Sequence, residues 1–282
     1  MAGAGVTPLD LAYLLIIVSG AVHAVVNTIL KAGNDKLVGR ALIDGSSALF
    51  VLPFVFVVPL PHGAWGWLTA SAFIHLVYLY SLVKAFEIAD FSAAYPIARG
   101  VAPGITAAVA VLLFGEELKP LEAAGIGALS AGVLAMSLGR HISARALGWS
   151  LLTGVCIAGY TVVDANGVRA APSAGSYVVW CFLLLGSAIA TVFALIKGPG
   201  LVEAVKDQWK PGLIAGALSI VTYGLALSAY RLGPTAPIAA LRETSILFGT
   251  LLAVFVLRER VTWTRAGAAV VIAAGAGLIL SA

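Results

Sequence analysis

Ten stretches of about twenty apolar residues follow one another along this chain, and a run of that length is what an α-helix needs to cross a hydrocarbon core. They cover roughly residues 10–31, 41–60, 65–85, 92–114, 120–139, 146–165, 174–196, 212–231, 235–257 and 262–281. The runs are continuous rather than alternating, so they read as helices and not as barrel strands, because lipid forces each backbone group to find its partner within the protein. With 61% hydrophobic and 11% charged residues among 282, the chain carries more apolar surface than one water-soluble core could hide. The expected fold is an all-α membrane protein of ten transmembrane helices.

Charge orients the expected bundle. The loops after spans 1, 3, 5, 7 and 9 hold Lys31, Lys36, Arg40, Lys84, Arg140, Arg145, Lys197, Lys206, Lys210, Arg258, Arg260 and Arg265, whereas the opposite side holds only Lys119, Arg169 and Arg231. Basic loops stay in the cytoplasm, so both termini are predicted on the extracytoplasmic side. The net charge of +4 belongs to these loops, and no nucleic-acid partner is expected. The opening M-A-G-A-G-V-T-P-L-D has no basic residue before the first run and no small-residue cleavage site, so span 1 is expected to be retained. Cys156 and Cys181 fall inside spans and read as small packing residues. No linker is long enough for a separate soluble domain; the longest, after span 7, reads as a short amphipathic connector.

The chain also resembles itself. Shifted by 143 residues, A-Y-P-I-A-R-G-V-A-P-G-I-T-A-A-V-A-V-L-L-F-G-E-E-L lies over P-I-A-A-L-R-E-T-S-I-L-F-G-T-L-L-A-V-F-V-L-R-E-R-V, matching Arg99 to Arg242, Glu116 to Glu259 and Gly132 to Gly275. The same shift sets Tyr80 against Tyr223, and a slightly different one pairs His23 with Tyr160 and Asn27 with Asp164. Residues 1–140 and 141–282 then form two five-helix repeats, and an odd number of spans inverts the second relative to the first. Inverted repeats are a hallmark of secondary transporters with a midplane site between the halves.

Ten helices in two five-helix halves, an acid in the turn closing the fourth helix of each half (Glu116, Glu259) and Gly/Ala-rich fifth helices resemble the drug/metabolite transporter superfamily, EamA type, over essentially the whole chain. Within it the sequence looks most like bacterial aromatic amino-acid exporters of the YddG kind. The second half lacks a basic counterpart of Lys84 and an aromatic counterpart of Tyr95, so any carry-over between halves is partial.

Polar residues within the spans are the candidates for function. Arg99 lies about 10 Å into span 4 at 1.5 Å per residue, where it either faces a cavity, snorkels to the interface, or pairs with Glu87 or Asp90. Tyr95 stands one turn before it, and an arginine with an aromatic on one face suits a carboxylate attached to a ring. Span 9 repeats the theme with Arg242 and Glu243, which are adjacent and need not pair with each other. The two arginines are expected to flank a central site from opposite sides. Pro96, Pro103 and Pro237 are hinge candidates, since proline removes a backbone donor; Gly100 and Gly104 permit close helix contact.

His75, Tyr78 and Tyr80 in span 3, His23 and Asn27 in span 1, Tyr160 in span 6, Trp180 in span 7 and Tyr223 in span 8 complete the cavity candidates. Tyrosines near a span end also serve as interfacial belt residues. Asp164 reads either as a site for a substrate ammonium or a proton, or as a cap of the helix end at D-A-N-G, the cap being favoured. H-E-x-x-H, G-x-S-x-G, a phosphate-binding glycine loop and clustered Cys/His ligands are all absent from the sequence, so no enzyme, metal or cofactor is expected. The expected activity is export of small zwitterionic metabolites, amino acids including aromatic ones, across the bacterial inner membrane by alternating access of a monomer in the lipid bilayer. A proton-coupled exporter of broad specificity and a passive channel are the alternatives.

Overall fold

Capping signals decide where the helices begin in the computed structural model, which describes residues 7–33, 35–256, 258 and 262–282, with only the backbone of residues 36, 37 and 197. Thr7 opens α1 (Pro8–Ala32): its Oγ1 accepts from the Asp10 N–H, while Asp10 accepts from the Thr7 N–H. Ser143 and Ser173 do the same single-handedly for α6 (Ala144–Ala170) and α7 (Ala174–Lys197). Pro120 occupies the first turn of α5 (Pro120–Ala135), where its missing N–H costs nothing. Gly115, at φ 65°, closes α4 (Phe91–Phe114) in the left-handed region that favours glycine.

The remaining elements are α2 (Lys36–Val51), continued by a 3₁₀ turn to Phe56, α3 (Trp65–Ile88), the short α8 (Leu201–Val205), α9 (Trp209–Leu232), α10 (Thr235–Leu241), α11 (Ser245–Phe255) and α12 (Trp263–Leu280). Among the described residues nine helices are long and apolar enough to cross a membrane. The tenth expected span, α5, has 16 residues and ends in turns from Met136 onward. Residues 1–6, on which the expectation of a retained leader rests, lie outside the described residues, as do Glu259 and Arg260.

The helices pair across the midpoint of the chain. α1 packs along α9 and α3 along α6; α2 lies on α7, α5 on α12, α4 against α6, and α1 against α11. Polar clasps tie the first two pairs: Ser19 Oγ donates to the Thr222 carbonyl and Thr222 Oγ1 to that of Ser19, both at 2.6 Å, while Thr153 Oγ1 donates to Ser81 Oγ at 3.0 Å. In the α5–α12 pair, a Cβ on Gly125 would stand 2.7 Å from the Gly275 carbonyl, so only glycine lets these backbones approach so closely. Cys156 and Cys181 are buried free thiols, as packing residues should be.

None of the three hinge candidates interrupts its helix. α4 runs as continuous helix through Pro96 and Pro103, because a helix can carry proline where neighbouring helices support it. Pro237 sits in the first turn of α10, where proline is tolerated without bending anything. The real interruption in span 9 comes five residues later, as a 3₁₀ turn at Arg242–Thr244.

Candidate functional site

That interruption delivers charge to the centre of the bundle. Arg99 Nε stands 2.9 Å from Glu243 Oε2, with both side chains at least nine-tenths buried, and Arg99 Nη2 donates to Ser245 Oγ at 3.3 Å. The Arg99–Glu243 contact is an ion pair by distance without the angles of a hydrogen bond. The partner expected for Arg99 near its own helix, Glu87 or Asp90, is not used: Glu87 accepts from Lys84 Nζ at 2.7 Å instead. Both arginines line one cavity of about 10 Å³, together with Ala102, Pro103, Thr106, Tyr230 and Glu243. Pro103 also has no N–H to offer the Arg99 carbonyl one turn back, leaving that acceptor free of its helical donor.

Arg242 is placed differently from Arg99. Its guanidinium lies 5.1 Å from the ring centre of Tyr223, a cation–π contact, and its Nε is buried with no hydrogen-bond partner among the described residues. A buried charge without a counter-charge costs several kcal/mol, so this arrangement is retained at the expense of stability.

Beside this charged centre four of the expected residues form one aromatic cluster. His75 stacks on Tyr160 with ring centres 4.0 Å apart, and Tyr78 and Tyr223 meet it edge-on at 6.3 and 6.5 Å. The Nδ1 of His75 is 2.9 Å from the Ser71 carbonyl. A carbonyl only accepts, so that bond requires the proton on Nδ1 and leaves Nε2 for another partner. The cluster continues into Asp164, which is fully buried and accepts from the hydroxyls of Tyr177, at 2.7 Å, and Tyr223. The favoured reading of Asp164 as a cap is therefore wrong: α6 continues to Ala170 and the carboxylate points into the bundle.

The sequence comparisons bear on this arrangement. Residues 144–281 match the EamA-like transporter family. The match covers just under half of the chain and supports placing it with drug/metabolite transporters; the half with the EamA-like match contributes Tyr160, Asp164, Tyr223, Arg242 and Glu243 to the centre. A solved crystal structure of a protein 18% identical in sequence superposes with a TM-score of 0.69 over 96% of this chain and 95% of the other. At that identity the likeness is one of fold. No curated protein matches the sequence.

Other candidates fall outside this centre or at its rim. Tyr80 is 57% exposed, edge-on to Trp149 and 5.9 Å from the Lys84 ammonium, on the outer surface of the bundle and away from the central cavity. Trp180 packs edge-on against Trp65 at 5.0 Å, and its indole N–H has no hydrogen-bond partner among the described residues. Tyr95 stacks on Phe91 with its ring centre 6.0 Å from the Arg99 guanidinium. His23, half-buried on α1, lies within electrostatic reach of Arg99, Arg242 and Arg40, while Asn27, one turn on, joins none of these contacts. Gly100 faces Leu134 of α5, whereas Gly104 faces open space.

Two features were not foreseen. Arg40 Nε pairs with Asp44 Oδ2 at 2.7 Å on α2, within reach of Tyr78 and Tyr160; the i, i+4 spacing was the available signal, and Arg40 had been assigned to a loop. Glu116 accepts from Thr235 Oγ1 (2.5 Å), the Thr235 N–H (2.8 Å) and Arg169 Nη1 (3.2 Å), so the acid of the first closing turn holds the N-terminus of α10. Arg169 also donates to the Tyr230 and Gly233 carbonyls.

Proposed function

We propose that this chain is a secondary transporter that exports small zwitterionic metabolites, amino acids with aromatic side chains foremost, across the bacterial inner membrane by alternating access as a monomer. The observation that carries this reading is the joining of two chemistries at one place: a buried charged centre (Arg99, Arg242, Glu243) against an aromatic cluster (His75, Tyr78, Tyr160, Tyr223), with Tyr223 belonging to both. Charged groups serve an ammonium and a carboxylate, and the rings serve an apolar body.

The EamA-like match supports transport rather than catalysis. Two inverted five-helix repeats, residues 1–140 and 141–282, are supported by the reciprocal packing: α1 of the first half meets α9, and α6 of the second meets α3. With α6 and α9 standing where α1 and α3 stand, the two contacts are one contact made twice. For the orientation, with both termini outside, the support is the excess of basic residues at the other end, and the exceptions have other work. Arg231 donates to the Val168 and Ala171 carbonyls at the end of α6, and Arg169 is held by Glu116.

Purified protein in liposomes, given labelled tryptophan, phenylalanine, threonine and a lipophilic cation, tests the reading. Saturable, counterflow-competent flux of the aromatic amino acids is expected. Non-saturating flux would make it a channel. Preference for the cation with dependence on a proton gradient would favour the broad exporter, for which Asp164, buried without a cationic partner among the described residues, would be the proton site.

A further inference from the structure

We propose that Arg242 is the anion subsite of this pathway and that its ligand carries a single carboxylate. The inference rests on the transporter reading and narrows its substrate class. Among the described residues, four buried polar atoms around the central cavity lack hydrogen-bond partners: Arg99 Nε, Glu243 Oε2, Arg242 Nε and the Tyr230 hydroxyl. Two of them account for each other, since Arg99 and Glu243 stand 2.9 Å apart with opposite charge. The other two do not. Arg242 is 8% exposed and Tyr230 1%, and among the described residues no carboxylate comes within ion-pair distance of Arg242. Glu243, its neighbour in sequence, is turned to Arg99, and Asp164 is occupied by the hydroxyls of Tyr177 and Tyr223.

Charge and geometry select the ligand. Arg99, Glu243 and Arg242 together leave one positive charge uncompensated at the cavity, which one carboxylate neutralises and a phosphate dianion overshoots. A guanidinium presents paired donors that match a carboxylate bidentately, and the Tyr230 hydroxyl supplies a further donor on the same cavity. Because Arg242 lies on the face of Tyr223 and Tyr223 meets His75 edge-on, a ligand anchored here directs its body into the aromatic cluster.

Four probes sharing one ring separate the possibilities: phenylalanine, 3-phenylpropionate, phenylalaninamide and phenyl phosphate, each measured for binding to the purified protein and for competition with phenylalanine flux in liposomes. The two carboxylates are expected to bind, and the amide to bind about thirtyfold more weakly, the low end of losing a buried charge pair. Arg242→Gln should abolish the difference between acid and amide, and Arg242→Lys should keep part of it. Equal binding of acid and amide by the wild type, preference for phenyl phosphate, or discrimination surviving in Arg242→Gln would each overturn the proposal. If Arg242→Gln fails to elute as a folded monomer, the wild-type panel and Arg242→Lys decide. Flux without acid–amide discrimination sinks the anion subsite alone; the absence of any flux or binding sinks the transporter reading with it.

Discussion

Arg99 of α4 and Glu243 in the turn between α10 and α11 form an ion pair at 2.9 Å that joins the two halves of the chain in the middle of the bundle. Neither side chain reaches water to any useful extent, so each depends on the other for charge balance. Removing one partner leaves a buried charge, which costs far more than the pair itself contributes. Glu243→Gln is therefore expected to destabilise the protein by about 3–5 kcal/mol. The double variant Arg99→Met with Glu243→Leu should recover much of that loss. Thermal unfolding in detergent of the single and double variants measures both, and a double variant less stable than the single one would contradict this account.

Asp164 is held by two phenols rather than by a cation. Leaving a buried hydrogen-bonding group without one of its partners costs about 1–3 kcal/mol, so Tyr177→Phe and Tyr223→Phe should each lower stability by that order. Tyr223→Phe should in addition weaken aromatic substrates, whereas Tyr177→Phe should leave their affinity unchanged. Unfolding and binding measured side by side distinguish the two tyrosines.

Glu116 fastens the start of α10 by accepting from two groups of Thr235 and from Arg169. Glu116→Ala should cost about 1–2 kcal/mol, as loss of a helix cap does, and should loosen this end of the bundle. With a cysteine at Ala239, which is 7% exposed beside the central cavity, labelling by an impermeant maleimide should be slow in the parent and faster with Glu116→Ala. An unchanged rate would show that this network does not restrict access.

Gly154 lets α6 lie directly on α4 beneath Arg99: a Cβ there would collide with Val101 and stand 2.8 Å from the Ala98 carbonyl. Gly154→Ala should cost about 1–3 kcal/mol through overpacking, and Gly154→Val should cost more. Melting temperature checks the order, and a neutral Gly154→Val would mean that the two helices separate without penalty.

Tyr80 supplies the contrast. It is more than half exposed and touches Trp149 and Lys84 only at the bundle's outer surface, so Tyr80→Phe should change stability by no more than about 0.5 kcal/mol and leave flux as it was. Loss of transport in that variant would move it back into the pathway.

Periodicity and depth made the helices and the two arginines legible, because a charge seven or eight residues inside an apolar run announces itself regardless of the fold. The partner of Arg99 was not legible. Glu87 and Asp90 are near in sequence, but a pairing between distant helices depends on how tightly they cross, which glycines such as Gly154 permit without encoding the register. Asp164 misled for a related reason. The D-A-N-G that it opens has the composition of a helix end, yet tertiary packing carries α6 through it to Ala170, overriding local propensity. Proline did not announce the break that is seen, since Pro96 and Pro103 lie in a helix that stays whole while the interruption in span 9 falls on Arg242–Thr244, where no proline stands. The aromatic cluster was half visible: His75 and Tyr78 share a helical face, but their meeting with Tyr160 and Tyr223 required helices from the other half of the chain.

The central cavity, at about 10 Å³, has room for about one water molecule. On the proposed function, an amino acid has to spread α4, α6 and α10 apart in order to be held at all, and admission and rearrangement become a single event. Part of each ligand's contact energy is spent on that separation, so measured affinities understate the contacts by the work of opening. Under that reading ligand bulk acts as a lever on the rate of turnover as well as on selectivity: a molecule unable to wedge the helices apart would be neither held nor carried.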